Sequence, residues 1–180
     1  ESRGLGDVYK RQDAIRAAIN ERTRLITIQR SKGYATRPSF SVRQIGELIA
    51  FCKSVKPDVL CMVDNCYGEF VEMNEPSDLG ADMVVGSLIK NPGGGIAPTG
   101  GYIAGTSAAI DRIQGRLTVP GMGREVGSYD ASYRPYYQGL FMAPHTVAQS
   151  LKSAVLFAGV FERAGLVSMP ASDAPRSDIV

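Results

Sequence analysis

Polar residues lie at the ends of two short apolar segments in this chain of 180 residues. Asp64 directly follows the apolar segment Val59–Val63, while Ser87 and Lys90 close the segment that begins at Met83. In parallel α/β sheets, ligands bind beyond the carboxyl ends of the strands. Neighbouring parallel strands would bring Asp64 and Lys90 into one crevice, where a covered acid must be paired with a cation. The spacing therefore predicts a site that combines an amine with a carboxylate.

A glycine-rich loop, "NPGGGIAPTGG", follows Lys90 directly. Glycine allows the backbone N–H groups to come close to a ligand, but it also serves simple tight turns. The loop lacks the G-x-x-x-x-G-K-[ST] spacing of a nucleotide-binding P-loop. Both interpretations, a ligand contact and a structural turn, stay open at this point.

The periodicity of apolar residues predicts the elements that would position this site. Ser41 and Gln44 form a capping-box pattern at the start of a helix that Pro57 ends. The other predicted elements are a helix after residue 12, strands at 25–31, 59–63, 83–89 and 101–106, a helix at 107–117 and a long helix at 144–165. We expect the 59–63 strand to be covered on both faces. The alternation predicts an α/β fold, a mostly parallel sheet with helices on both faces.

The composition excludes several classes of function. A net charge of +2 without a basic stripe argues against nucleic acid as a partner. No apolar run approaches the roughly 20 residues of a membrane span, so we expect a soluble protein that binds no membrane. Three cysteines without a C-x-x-C pair, together with a single histidine, predict free thiols in a reducing cytoplasm and no metal site.

The sequence around the predicted site resembles that of a known superfamily. The segments "VDNCYGEF" and "LGADMVVGSLIKN" resemble the pyridoxal-phosphate site of fold-type-I enzymes, which include the aminotransferases and the cystathionine lyases. The longer segments "SLIKNPGGGIAPTGGYIAG" and "YRPYYQGLFMAPHTVAQSLK" resemble one subgroup, the methionine γ-lyase-like proteins, also called aluminium-resistance proteins. This resemblance extends from about Leu25 to the end of the chain.

The resemblance implies a cofactor, pyridoxal 5'-phosphate, and a role for each of four residues. Lys90 would be the catalytic residue: it would link covalently to the cofactor aldehyde, with its amine made available by desolvation and neighbouring positive charge, and would then move protons. Asp64 would face the pyridine nitrogen and keep it protonated. Ser87 would donate to the cofactor phosphate, and Tyr67 would donate to the ring oxygen.

The resemblance further implies a carbon–sulfur lyase that eliminates at the β or γ carbon of a sulfur-containing amino acid. Two alternatives stay open: an aminotransferase or other amino-acid enzyme with the same cofactor, and a phosphate- or nucleotide-binding α/β module without catalysis. Residues that could also approach a ligand are Arg37, Arg124, Arg134, Tyr129, Tyr133, Tyr136 and Tyr137, although solvation is the better explanation for each arginine and packing the slightly better one for the tyrosines.

The polar, aperiodic start of the sequence and its end within a new apolar segment lead us to expect an internal fragment of a longer protein. We expect residues 1–12 to be a non-native lead-in, residues 13–165 to be part of a cofactor-binding large domain, and residues 166–180 to begin a truncated small domain. Parts of the site would come from elsewhere in the full-length protein, which we expect to be a homo-oligomer. The fragment alone would then be inactive.

Overall fold

The computed structural model describes residues 11–123, 125–127 and 129–179. In this described part of the chain, four short strands form one sheet in the order β1 (Leu25–Gln29), β2 (Leu60–Asp64), β3 (Met83–Ser87) and β4 (Gly101–Gly105). The first three strands are parallel, and β4 is antiparallel to β3. The sequence-based prediction of an α/β fold with a mostly parallel sheet is therefore confirmed.

Within the described residues, four α-helices and three single 3₁₀ turns connect and cover the strands. The α-helices are α1 (Gln12–Ala18), α2 (Val42–Val55), α3 (Ser107–Ile113) and α4 (Arg134–Arg163), and the 3₁₀ turns are Pro76–Leu79, Asn91–Gly93 and Gln114–Arg116. None of the helices described in the structure is long and apolar enough to cross a membrane. Of the predicted lead-in at 1–12, residues 1–10 lie outside the described residues, and α1 begins at its last residue, Gln12.

The core lies between α2 and one face of the sheet. Ile45, Ile49 and Cys52 of α2 pack against Cys61 and Val63 of β2, and each of these side chains is at most 2% exposed. Along β2 buried residues alternate with half-buried ones. In the described part of the chain, this strand is fully buried on the face that packs against α2 and half-buried on the other face. The expectation that it is covered on both faces is therefore met on the α2 side only.

The predicted capping box at the start of α2 is present. Ser41 Oγ accepts a hydrogen bond from the Gln44 N–H at 3.2 Å, and the Ser41 N–H donates to Gln44 Oε1 at 2.9 Å. These two bonds satisfy backbone donors that the first turn of a helix otherwise leaves without partners.

We expect Ser41→Ala to lower the free energy of unfolding by about 1 kcal/mol, because the alanine cannot accept the bond from the Gln44 N–H. Urea denaturation measures this change. Ser54→Ala is the control, because Ser54 lies in the last turn of the same helix and its hydroxyl only donates to the Phe51 carbonyl. Equal losses in the two variants would contradict a specific role of the cap.

The long helix α4 begins earlier than the sequence predicts. It starts at Arg134 and continues through Pro144, which was expected to be its first residue. Proline removes one backbone donor but tolerates helical residues before it when packing holds them in place. Here Gly139 and Ala143, both before the proline, are buried, and Gly139 contacts the loop that follows Lys90. Tertiary contact therefore extends the helix by ten residues towards the amino terminus.

Candidate functional site

Asp64 and Lys90 lie at the same edge of the sheet. β2 ends at Asp64, which is level with Val85 of the parallel strand β3, and β3 ends at Ser87. The chain then makes a turn in which the Lys90 N–H donates to the Ser87 carbonyl at 3.2 Å. The parallel register therefore places both residues just beyond the carboxyl ends of adjacent strands, as the sequence predicts.

The two side chains converge on Cys66. The Cys66 thiol interacts with both the Asp64 carboxylate and the Lys90 ammonium. One oxygen of Asp64, Oδ1, also accepts a hydrogen bond from the Cys66 N–H at 3.1 Å. The Lys90 Nζ lies 4.2 Å from the centre of the Tyr67 ring, within the range of a cation–π contact. Amine, carboxylate, thiol and phenol thus share one site.

The pKa of Lys90 is set by opposing influences. Desolvation, the largest of them, lowers the pKa, but the hydrogen bond to Cys66 and the charges of Cys66, Tyr67 and Asp64 together raise it above its ordinary value. The expected lowering by neighbouring positive charge is not met, because the groups beside Lys90 are acidic. In this arrangement the lysine is an ammonium ion hydrogen-bonded to Cys66, with the charge of Asp64 nearby.

Cys66 is a neutral thiol at this position. Burial, followed by the hydrogen bond and the charge of Asp64, raises the pKa of Cys66, while Lys90 opposes the shift. A thiol whose pKa is raised is a poor nucleophile at neutral pH, because the thiolate is the reactive form. Cys52 and Cys61 are buried in the core instead.

Tyr67 is held in an unusual backbone conformation. Its φ of 70° lies in the left-handed region, which residues other than glycine seldom adopt. The Tyr67 carbonyl accepts a hydrogen bond from the Ile179 N–H at 3.1 Å, and Asp178 beside it accepts from Ser31 Oγ at 2.8 Å. The carboxyl-terminal segment is thus bonded to the residue whose ring lies beneath Lys90.

Ser87 lies two residues beyond the level of Asp64 and is half-buried. Among the described residues, no side-chain hydrogen bond involves its hydroxyl. The hydroxyl is therefore available to donate to a ligand.

The glycine loop after Lys90 is a structural turn. The N–H groups of Gly93 and Gly94 donate to the carbonyls of Lys90 and Asn91 at 3.0 and 3.1 Å. A Cβ on Gly94 would lie 2.4 Å from the Gly139 carbonyl oxygen of α4, so the two backbones touch directly. These two amides are already used, and the glycines allow close packing of the loop on the helix. The structure therefore favours the turn over the ligand contact.

A buried arginine at the end of β1 is a part of the site that the sequence analysis missed. Arg30 is 0% exposed and donates to Asn65 Oδ1 at 2.8 Å, to Glu72 Oε1 at 2.9 Å and to Glu75 Oε2 at 3.4 Å. The Arg30 N–H also donates to the Asp64 carbonyl at 3.0 Å. The strand-end rule that identifies Asp64 could have identified Arg30, because it follows β1 directly.

The other sequence candidates are less closely tied to the site. Arg37 donates to three backbone carbonyls of its own region, and Arg134 is exposed at the start of α4. Arg124 lies outside the described residues. The rings of Tyr129, Tyr133 and Tyr136 pack edge-on or tilted against one another, and Tyr137 is 74% exposed. Packing therefore explains three of the tyrosines.

A cavity of about 910 Å³ lies near this site but is separate from it. Its walls come from the loop and helix start at 32–44, from Glu72 and from the carboxyl-terminal segment at 169–178. Lys90 and Asp64 are not part of these walls. The carboxyl-terminal segment connects this cavity to the reactive groups, because the Ile179 N–H donates to the Tyr67 carbonyl.

Comparison with known proteins places this geometry in a family. The profile of the family described as methionine gamma-lyase matches residues 6–180. An uncharacterized protein, YnbB, of Bacillus subtilis is 53% identical over 168 residues, which cover 93% of this chain and 40% of that protein. The chain therefore spans less than half of the length of this relative.

Solved structures agree with this assignment. A protein of Listeria monocytogenes, provisionally described as a cystathionine beta-lyase involved in aluminum resistance, is 50% identical with a TM-score of 0.90. The match covers 93% of this chain and 42% of that one. A cystathionine gamma-lyase of Lactobacillus plantarum, 22% identical with a TM-score of 0.57 over 84% of this chain and 36% of that one, shares the fold. The chain belongs to the methionine gamma-lyase family.

Proposed function

We propose that the full-length protein is a pyridoxal-phosphate-dependent carbon–sulfur lyase that acts on a sulfur-containing amino acid. The observation that carries this proposal is the convergence of Lys90 and Asp64 on Cys66 at one edge of the sheet. The family profile and the Listeria protein's description as a cystathionine beta-lyase support the reaction class.

The residues at this edge fit pyridoxal phosphate. The cofactor needs an amine for its aldehyde and an acid for its ring nitrogen, and Lys90 and Asp64 supply them from adjacent strands. The free hydroxyl of Ser87 would donate to the phosphate. Tyr67, already in contact with the lysine, would donate to the ring oxygen. When bound, the cofactor supplies an electron sink for bonds at the substrate's α carbon.

The chain's own residues would then handle the protons. Asp64 holds positive charge at the point where the ring nitrogen binds, because a carboxylate stabilises a cation beside it. Lys90 would remove the α proton of the substrate and deliver a proton elsewhere on it. The amine would have to lose its proton first, because the pKa of Lys90 is raised in the present arrangement.

The organisation of the full-length protein follows from the same proposal. Residues 13–165 would belong to its cofactor-binding domain, and residues 166–180 would begin the next domain. A second subunit of a cytoplasmic homo-oligomer would complete the site. The 180 residues alone would then lack turnover.

The test uses the full-length protein and pyridoxal phosphate. We expect a visible absorbance band when the two are mixed, and a 2-oxo acid together with a thiol when a sulfur-containing amino acid is added. Product analysis separates the reaction types, because an aminotransferase would yield a new amino acid from an added oxo acid instead. A protein that gives no band at any cofactor concentration would act only as a phosphate-binding module, and the proposal would fail.

A further inference from the structure

Glu69 is a buried acid behind the segment that carries Lys90. Glu69 is only 4% exposed, and the Tyr102 O–H of β4 donates to Glu69 Oε1 at 2.8 Å. The second carboxyl oxygen, Oε2, has no hydrogen-bond partner among the described residues. A buried carboxylate oxygen without a donor is costly, whereas a protonated carboxyl leaves no uncompensated charge.

Glu69 touches both ends of the segment from Gly86 to Asn91. A Cβ on Gly86 would lie 2.4 Å from Glu69 Oε1 and 2.4 Å from the Tyr102 ring, so these side chains occupy the space beside the glycine. At the other end, the side-chain amide of Asn91 donates to the Glu69 carbonyl at 2.9 Å. Ser87 and Lys90 lie between these two contacts.

A second buried oxygen also lacks a donor in the described structure. Asn91 is 5% exposed, and its side-chain oxygen makes no hydrogen bond there. With Glu69 ionised, the cluster would hold two buried acceptors and no donor for either of them. Protonation of Glu69 adds one O–H donor and removes the charge at the same time. The composition of the cluster therefore favours the neutral acid.

Burial, hydrogen bonds and neighbouring charges together set the pKa of Glu69. Burial dominates and raises the pKa of Glu69 to about 7, and Glu75 raises it further. Hydrogen bonds from its own backbone and from Tyr102, together with the charge of Arg30, act in the opposite direction. Tyr102 remains a donor over the whole range, because burial and Glu69 raise its pKa well above the usual value.

We propose that Glu69 is a positioning residue whose protonated form holds the Gly86–Asn91 segment, and with it Ser87 and Lys90, in the arrangement that binds the cofactor. The inference rests on the proposed function, since it assumes that Lys90 and Ser87 contact pyridoxal phosphate. Ionisation of Glu69 places an unpaired charge behind the segment and loosens it. Cofactor affinity then falls as pH rises through neutrality.

The test compares full-length wild type with Glu69→Gln, which mimics the neutral acid at every pH. Pyridoxal phosphate is titrated at about pH 6 and about pH 8, and the Kd of the wild type is divided by that of the variant. Because about one tenth of Glu69 is protonated at the higher pH, this ratio is expected to rise about tenfold. Division by the variant cancels the pH dependence of the cofactor and of Lys90 itself.

Two further variants make the result specific. Glu47→Gln changes an exposed residue that pairs with Arg43. When the Kd of the wild type is divided by that of this variant, the ratio is expected to be the same at the two pH values. Tyr102→Phe removes a bond that lowers the pKa of Glu69, so the fall in affinity is expected at a higher pH. The proposal would be overturned if the ratio of the wild-type Kd to the Glu69→Gln Kd were the same at both pH values. It would also be overturned if the cofactor affinity of Tyr102→Phe fell at the same pH as that of the wild type.

Unfolding measurements separate this inference from the proposed function. The pKa of Glu69 is raised from 4.5 to about 7 by folding, so its stabilising contribution is complete below about pH 4.5 and is lost as pH rises through about 7. Without cofactor, Glu69→Gln is expected to have the higher urea midpoint at about pH 8, and the difference is expected to shrink towards about pH 5. This result together with no cofactor binding would reject the lyase proposal and the positioning role, but would confirm the buried neutral acid.

Discussion

Lys90→Ala is expected to abolish the visible absorbance band that the full-length protein gives with pyridoxal phosphate, and turnover with it. Only an amine can link to the cofactor aldehyde, and Lys90 is the amine that lies beside Asp64 and Tyr67. Loss of the same residue also removes the group that moves the α proton. The measurement is an absorbance titration, followed by borohydride reduction and mass analysis of the peptide that carries residue 90.

The matched control is Lys152→Ala. Lys152 is an exposed lysine on α4, and its loss is expected to leave the band and the turnover at wild-type level. Borohydride should fix the cofactor to the peptide with Lys90 in both the wild type and this control. A band of wild-type intensity in Lys90→Ala would show that another amine binds the cofactor.

Arg30→Met is expected to lower the free energy of unfolding by about 3–5 kcal/mol, the largest stability change that we expect in this chain. Arg30 is wholly buried, and its guanidinium bonds to Asn65, Glu72 and Glu75. Methionine fills a similar volume but leaves these acceptors without their donor. Glu72 also accepts from the Val42 N–H at 3.0 Å, so the start of α2 loses part of its support. Urea denaturation of the full-length protein measures the loss.

Arg43→Met is the control for this change. The Arg43–Glu47 pair lies on the surface of α2, with the two side chains 65% and 37% exposed. Exposed pairs contribute about 0.2–1 kcal/mol, so the urea midpoint is expected to move little. Similar midpoints for the two variants would mean that the buried cluster around Arg30 adds no stability beyond that of a surface pair.

Local patterns were sufficient to predict most of the fold. The apolar periodicity predicts α2 with its capping box at Ser41, and the β-branched segments predict strands that overlap β1 to β3. These features depend on interactions within a few residues, so a single sequence contains them. The start of α4 could not be predicted in this way, because helix before Pro144 depends on the contact of Gly139 with a loop remote in sequence.

The candidate site was predictable in part for a related reason. The strand-end rule predicts the proximity of Asp64 and Lys90, since it needs only the order and direction of the strands. The environment of Glu69 and the partners of Arg30 depend on side chains from separate elements that meet only in the folded chain. The cofactor roles of Lys90, Asp64, Ser87 and Tyr67 stay predictions, which the cofactor titration will test.

The direct meeting of Gly94 with Gly139 has a mechanical consequence. Where two backbones touch with no side chain between them, neither surface can adapt by a change of rotamer. A small shift of the thirty-residue helix would therefore directly move the turn that begins at Lys90. The position of the Lys90 amine thus depends on the rigidity of α4, a helix that contributes no chemical group to the site.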